Sequence, residues 1–206
     1  RELGRNPRAF AIVGDSISAS PKFLRPFASH HELDDDVRRR LTLTSGQTVV
    51  DFYRGADLVA GLDSFRAPRA AKVGAPSRWA LPDGMAAQAG PAGRLIAELE
   101  PAVALVLFGS NDATVRFADL PELVGSYRQR MAAIVDLLEA QGVVAVLNTV
   151  PRHTYDPARP DCDHGPADLS NWRLAVQTSA LSAAVAELAC ERHLPLIDLR
   201  HAFDAL

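Results

Sequence analysis

Two short polar motifs carry the residue types that nucleophilic catalysis requires. Ser16 lies in the Gly-Asp-Ser-Ile-Ser motif of residues 14–18, directly after an apolar run. A serine on a tight turn that opens a helix can present its hydroxyl as a nucleophile, while the N–H groups at the helix start stabilise a developing anion. Alternatively, Ser16 only caps the helix. Asn111 follows a second apolar run, and its amide N–H could donate to the same anion, although Gly-Ser-Asn-Asp also suits a simple turn. Together at strand ends, the two motifs favour a catalytic site.

The pattern around these motifs predicts short buried strands separated by helices. Five runs rich in Val, Leu and Ile are the predicted strands, namely 9–13, 48–52, 103–108, 143–148 and 194–199. Apolar residues spaced three and four apart predict helices between Pro121 and Gly142, from a Ser170 cap to Leu188, and over 91–100. This alternation indicates one α/β domain over residues 1–206, a three-layer doubly wound fold with a five-stranded, mostly parallel sheet of the flavodoxin-like type. Ligands of such folds bind beyond the carboxyl ends of the strands.

The two motifs, in this order and at this spacing, resemble blocks I and III of the SGNH (GDSL-type) hydrolases. Gly74 is similar in placement to the glycine of block II, a position for which Gly55 and Gly61 also compete. The resemblance extends over nearly the whole chain. It implies a serine esterase or lipase-like acylhydrolase.

The resemblance also implies a role for each matched residue. Ser16 would be the nucleophile, and its own N–H would form an oxyanion hole with the Gly74 N–H and the Asn111 side chain. Asp15 would help to shape the turn, and Asp112 would brace the loop that bears Asn111. Such a site needs no metal or organic cofactor, and its substrate would be a small-molecule, lipid or glycan ester.

A histidine base, held by an aspartate three residues earlier, is the remaining part that the resemblance implies. Asp198 and His201 have this spacing. Three features favour the alternative that Asp198 only ends the last strand and His201 lies in a covering helix. Asp198 follows its strand without a loop, few residues remain for a complete helix, and the segment resembles the one that precedes the dyad in many relatives. The dyad would then lie beyond Leu206, in a chain truncated at its C-terminus. Without the histidine, the fold would keep only residual catalysis, or would bind an acyl or glycan group without cleaving it.

Composition bounds the remaining function classes. A net charge of −3 over 206 residues does not indicate a nucleic-acid partner, and no apolar run approaches the length of a membrane span. Cys162 and Cys190 are too few for a disulfide framework. They could pair in an exported protein, or Cys190, which lies in a helical pattern, could be a buried thiol. The first residue is Arg1, which is compatible with a removed leader and export, or with a piece of a longer chain. Compartment and oligomeric state stay open.

Two irregular stretches, 55–85 and 153–165, follow predicted strands and are expected to form the walls of the pocket. The first is basic, which would suit an anionic substrate or leaving group; its cations are Arg66, Arg69, Lys72 and Arg78. His153 follows the fourth strand and could approach a substrate. A nucleotide-binding domain is disfavoured, because the first strand is followed by neither Gly-x-Gly-x-x-Gly nor Gly-Lys-Ser/Thr.

Overall fold

A computed structural model describes residues 4–29, 34–55, 58, 61–114, 119–151 and 169–204. Its sheet has five parallel strands in the order β2-β1-β3-β4-β5. The strands are β1 (Asn6–Gly14), β2 (Ala70–Ala71), β3 (Pro101–Leu107), β4 (Val144–Asn148) and β5 (Leu196–Ile197). The helices are α1 (Ser16–Ala19), α2 (Asp35–Arg40), α3 (Val49–Arg54), α4 (Pro91–Leu99), α5 (Leu120–Ala140), α6 (Leu169–Glu191) and α7 (Leu199–Asp204). The predicted α/β class, with a five-stranded parallel sheet, is confirmed.

The strand register brings the residues after β1, β2 and β3 to one edge of the sheet. Val13 of β1 lies beside Ala70 of β2 on one side and Val106 of β3 on the other. Both neighbours run parallel to β1, so all three strands end at the same edge. Polar residues that follow these three strands therefore meet there.

The predicted strand over 48–52 is wrong, because this segment forms α3. Thr48 caps the helix: its hydroxyl accepts the Asp51 N–H at 3.0 Å. A Thr hydroxyl that accepts the backbone N–H three residues later satisfies one of the N–H groups that lack a partner at the start of a helix. This hydrogen bond stabilises the first helical turn. The second strand is instead Ala70–Ala71, whose two residues are too few to show a hydrophobic pattern.

Apolar side chains cover the two faces of the sheet with separate clusters. The larger cluster joins the sheet to α4, α5 and α6, with Ile96, Met131 and Leu181 at its centre. The smaller one packs Phe10 of β1 against Phe65 and Val50. The long predicted helices are confirmed, except that α6 begins at Leu169, before the predicted cap. None of the helices in the described ranges is long and apolar enough to cross a membrane.

Candidate active site

Ser16 opens α1 directly after β1, as the sequence motif predicts. Asp15 caps the helix, because its Oδ1 accepts the Ile17 N–H at 3.1 Å. Position 14 requires glycine, because neighbouring atoms leave no room for a side chain. A Cβ there would lie 2.5 Å from the Leu107 carbonyl oxygen, and closer still to Ser18 Oγ. The turn therefore holds Ser16, which is partly exposed, just beyond the end of the sheet.

Gly74 lies three residues after β2, on one side of Ser16. The Lys72 N–H donates to the Gly14 carbonyl at 3.2 Å, which extends the β1–β2 pairing to the edge of the sheet. Gly74 then turns the chain with φ +75°, a conformation that favours glycine, and its backbone is exposed. Its N–H stays a predicted donor of the oxyanion hole.

Asn111 and Asp112 follow β3, on the other side of Ser16. Asp112 is buried, and its carboxylate accepts the Ser77 N–H at 3.0 Å and the Ser77 hydroxyl at 2.6 Å. These hydrogen bonds tie the loop that carries Gly74 to the loop that carries Asn111. Ser77 was not identified from the sequence, because no local pattern indicates a partner 35 residues away.

Two buried carboxyl groups lie close together under the site. Burial raises the pKa of Asp15 from 3.8 to about 6, and the nearby Asp112 charge adds to this. Burial also raises the pKa of Asp112, although its bonds from Ser77 oppose the shift. The Asn111 amide lies near enough to Asp15 to favour its charged form, but its buried Nδ2 makes no hydrogen bond of good geometry.

Three N–H groups at the carboxyl ends of the strands are the candidate donors to a ligand. They are the Ser16 N–H, the Gly74 N–H and the Asn111 Nδ2 group. They follow β1, β2 and β3, and β1 lies between the other two strands. N–H donors at the carboxyl ends of adjacent strands are suited to bind an oxygen that carries negative charge.

Asp198 and His201 lie elsewhere along the same edge. Asp198 Oδ1 accepts the Thr149 hydroxyl at 2.9 Å and the backbone N–H of His201 at 3.1 Å, so it caps α7. These bonds hold the pKa of Asp198 below its usual value. Because β5 lies three strands from β1, about 14 Å of sheet separates the end of β5 from Ser16. This geometry favours the alternative that His201 is a helix residue; the pair stays a prediction as the catalytic dyad.

The remaining predictions about pocket walls and ligands fall only partly on described residues. The whole stretch 153–165, with His153 and Cys162, lies outside them. Cys190 is exposed in α6. In the stretch 55–85, residues 61–85 are described, and they carry Gly74, Ser77 and the cations Arg66, Arg69, Lys72 and Arg78.

Solved structures with the same architecture are lipases and esterases. A lipase/acylhydrolase from Enterococcus faecalis superposes with a TM-score of 0.56 at 18% identity, covering 97% of this chain and 80% of that one. The psychrotrophic esterase EstA from Pseudoalteromonas superposes with a TM-score of 0.50 at 15% identity, over 93% and 76% of the two chains. This chain has the SGNH-hydrolase fold. By sequence alone, it matches no family model and no curated protein.

Proposed function

We propose that this chain is a serine ester hydrolase in which Ser16 attacks the ester carbonyl. The observation that carries the proposal is that Ser16, Gly74 and Asn111 follow the carboxyl ends of three adjacent parallel strands, β1, β2 and β3. An ester carbonyl oxygen gains negative charge when the serine attacks, and donors fixed beforehand stabilise that charge. The acylhydrolase fold supports the same chemistry at a coarser level.

The reaction proceeds in two steps through an acyl-enzyme. Ser16 Oγ bonds to the carbonyl carbon as its proton passes to a general base, and the donors of Ser16, Gly74 and Asn111 hold the oxyanion. The tetrahedral species then expels the alcohol, which takes the proton from the base. Water attacks the acyl group in the same way and releases the acid and the Ser16 hydroxyl.

The general base is the role that experiment must assign. His201, held by Asp198, is the candidate that the sequence predicts. To reach Ser16 it would have to cross the ends of β3 and β4, the two strands between β5 and β1. His153 and a histidine beyond Leu206 are the alternatives. Each candidate histidine is replaced by asparagine or glutamine, and the rates of acylation and deacylation are measured separately. The general base is the histidine whose replacement slows both steps.

Hydrolysis of p-nitrophenyl acetate and butyrate by the full-length protein tests the proposal. Ser16→Ala should abolish turnover, whereas the matched control Ser20→Ala should retain it. Asn111→Ala should lower kcat by about 10²–10³ with little change in KM, since it removes a donor used mainly in the transition state. Ser110→Ala, on the same loop, is its control. Wild-type turnover by Ser16→Ala would refute the proposal.

A binding module on the same fold is the second function that the geometry allows. Labelling by a fluorophosphonate distinguishes the two, because an activated serine oxygen displaces fluoride from phosphorus and becomes phosphonylated. Mass spectrometry should find the adduct on Ser16 and none in Ser16→Ala. Saturable binding of an ester that is neither cleaved nor accompanied by labelling would support the binding module instead.

A further inference from the structure

Arg69 holds the segment that follows Ser16 through several backbone carbonyls. Its Nη1 donates to the carbonyls of Ser18 at 2.7 Å and Ser20 at 3.2 Å. Its Nη2 donates to Phe23 at 2.9 Å and more weakly to Phe65 at 3.4 Å. A single guanidinium therefore spans the end of α1 and the loop after it.

The position of Arg69 in the sheet connects these hydrogen bonds directly to β1, the strand that precedes Ser16. Arg69 immediately precedes β2, and β2 pairs with β1 at Val13 and Gly14. The backbone of Arg69 is thus fixed next to the end of β1, and its side chain reaches the chain just past Ser16. Helix α1 has only four residues, too few to be stable on its own, so its geometry depends on such external contacts.

The charge of Arg69 is unusual for its surroundings. Its side chain is partly buried and forms no ion pair within the described part of the chain, while the nearby Arg25 repels it. Burial and this repulsion lower its pKa. Its Nε is buried without an acceptor. Partial burial of a cation costs free energy, and the hydrogen bonds from the guanidinium to four carbonyls help to offset it.

Two other arginines hold the same segment farther from the nucleophile and provide a contrast. Arg66 donates to the Ala28 carbonyl at 2.9 Å and pairs with Asp63 at 3.5 Å. Arg54 binds the Phe27 carbonyl at 2.6 Å and also lies near an aspartate. These contacts secure residues 27–28, whereas Arg69 acts within two residues of Ser16.

We propose that Arg69 is a positioning residue for the nucleophile, which fixes the turn over residues 16–20 so that the Ser16 hydroxyl and N–H face one substrate carbonyl. The inference rests on the proposed role of Ser16. A planar fork with several donors can hold three carbonyls of one segment at once, which a lysine ammonium does less well. A displacement of about 1 Å at a reacting group can cost about 10²-fold in rate.

Substitution of Arg69 tests the proposal, with Arg66→Met as the matched control. Arg69→Met should lower kcat and the rate of fluorophosphonate labelling of Ser16 about 10- to 100-fold, with KM changed less than about threefold. Arg69→Lys should recover part of the loss, because it keeps the charge without the fork. Arg66→Met should stay within about twofold of wild type. Hydrogen exchange at the Ala19 and Ser20 amides, which are bonded within the turn, should quicken in Arg69→Met only.

Wild-type labelling and exchange in Arg69→Met would overturn the proposal. Equal losses in Arg69→Met and Arg66→Met, with parallel falls in Tm, would also overturn it, because they would show a general effect on stability. If the wild-type protein neither labels nor turns over, the proposed function fails. Hydrogen exchange still tests in that case whether Arg69 fixes the turn over residues 16–20. Faster exchange confined to Arg69→Met supports this role, and unchanged exchange refutes it.

Discussion

Asp15 is fully buried beside a second carboxyl group, and replacing it by asparagine isolates the free energy of its charge. Its Oδ1 accepts the Ile17 N–H at 3.1 Å, but its Oδ2 is buried without a partner. Burial, reinforced by Asp112, raises its pKa from 3.8 to about 6. Asparagine keeps the acceptor that caps α1 and removes the charge.

The shift fixes the sign and size of the effect on stability. Between pH 3.8 and about 6, the folded protein keeps a proton on Asp15 that the unfolded chain has released. Stability from this group is therefore full below pH 3.8 and is lost as pH rises through about 6. At 1.36 kcal/mol per unit of pKa, the total loss is about 3 kcal/mol.

Urea unfolding of wild type and Asp15→Asn at intervals from about pH 4 to 8 measures this contribution. The variant should gain stability relative to wild type as pH rises, by about 3 kcal/mol across the range. Any offset from the altered hydrogen bonds is independent of pH and cancels in the difference. Asp83→Asn, which removes an exposed carboxylate, is the matched control for loss of one charge. A difference between wild type and Asp15→Asn that stays constant with pH would refute the reasoning.

Three further substitutions test the packing and bonds that hold the site. Gly14→Ala places a Cβ 2.5 Å from the Leu107 carbonyl oxygen and should destabilise the protein by at least about 2 kcal/mol, seen as a fall in Tm. Ser77→Ala removes the hydroxyl that donates to the buried Asp112 carboxylate, and it should lower the free energy of unfolding in urea by about 1–3 kcal/mol. An unchanged free energy of unfolding would mean that other contacts hold the two loops together. Tyr127→Phe removes a buried hydrogen bond to the Phe108 carbonyl, 2.9 Å long, and should cost about 1 kcal/mol by the same measurement.

Most of the sheet was predictable, since β1, β3 and β4 are buried or half-buried runs that bear Val, Leu and Ile, and β5 is an exposed Leu-Ile pair within the predicted strand 194–199. The exception is instructive, because residues 48–52 have the composition of a strand and form a helix. The signal was present in Thr48, which caps α3 through the Asp51 N–H, but it was weaker than the β-branched run that follows it. The true second strand has two alanines and owes its place to pairing with β1, which no local pattern encodes.

The polar residues of the site were predictable as types at strand ends, but their environment was not. Gly14, Asp15 and Ser16 share one motif, so their proximity follows from the chain itself. The burial of Asp15 beside Asp112 depends on how β1 and β3 are aligned, and the pKa of Asp15 follows from that alignment. The sequence identified Arg69 only as one of several cations in a basic loop. Its partners are backbone carbonyls, which every residue has, so the sequence gives no sign of them.

The order of the strands explains how residues so distant in sequence come to lie at one end of the sheet. Gly74 and Asn111 follow strands on opposite sides of β1, so neither loop alone can surround an oxygen bound to Ser16. The hydrogen bonds from Ser77 to Asp112 link these two loops. Because both ends of that link are buried, a shift of one loop must strain the other or leave a carboxylate oxygen unpaired. These hydrogen bonds therefore tie the position of the loop that carries Gly74 to the position of the loop that carries Asn111.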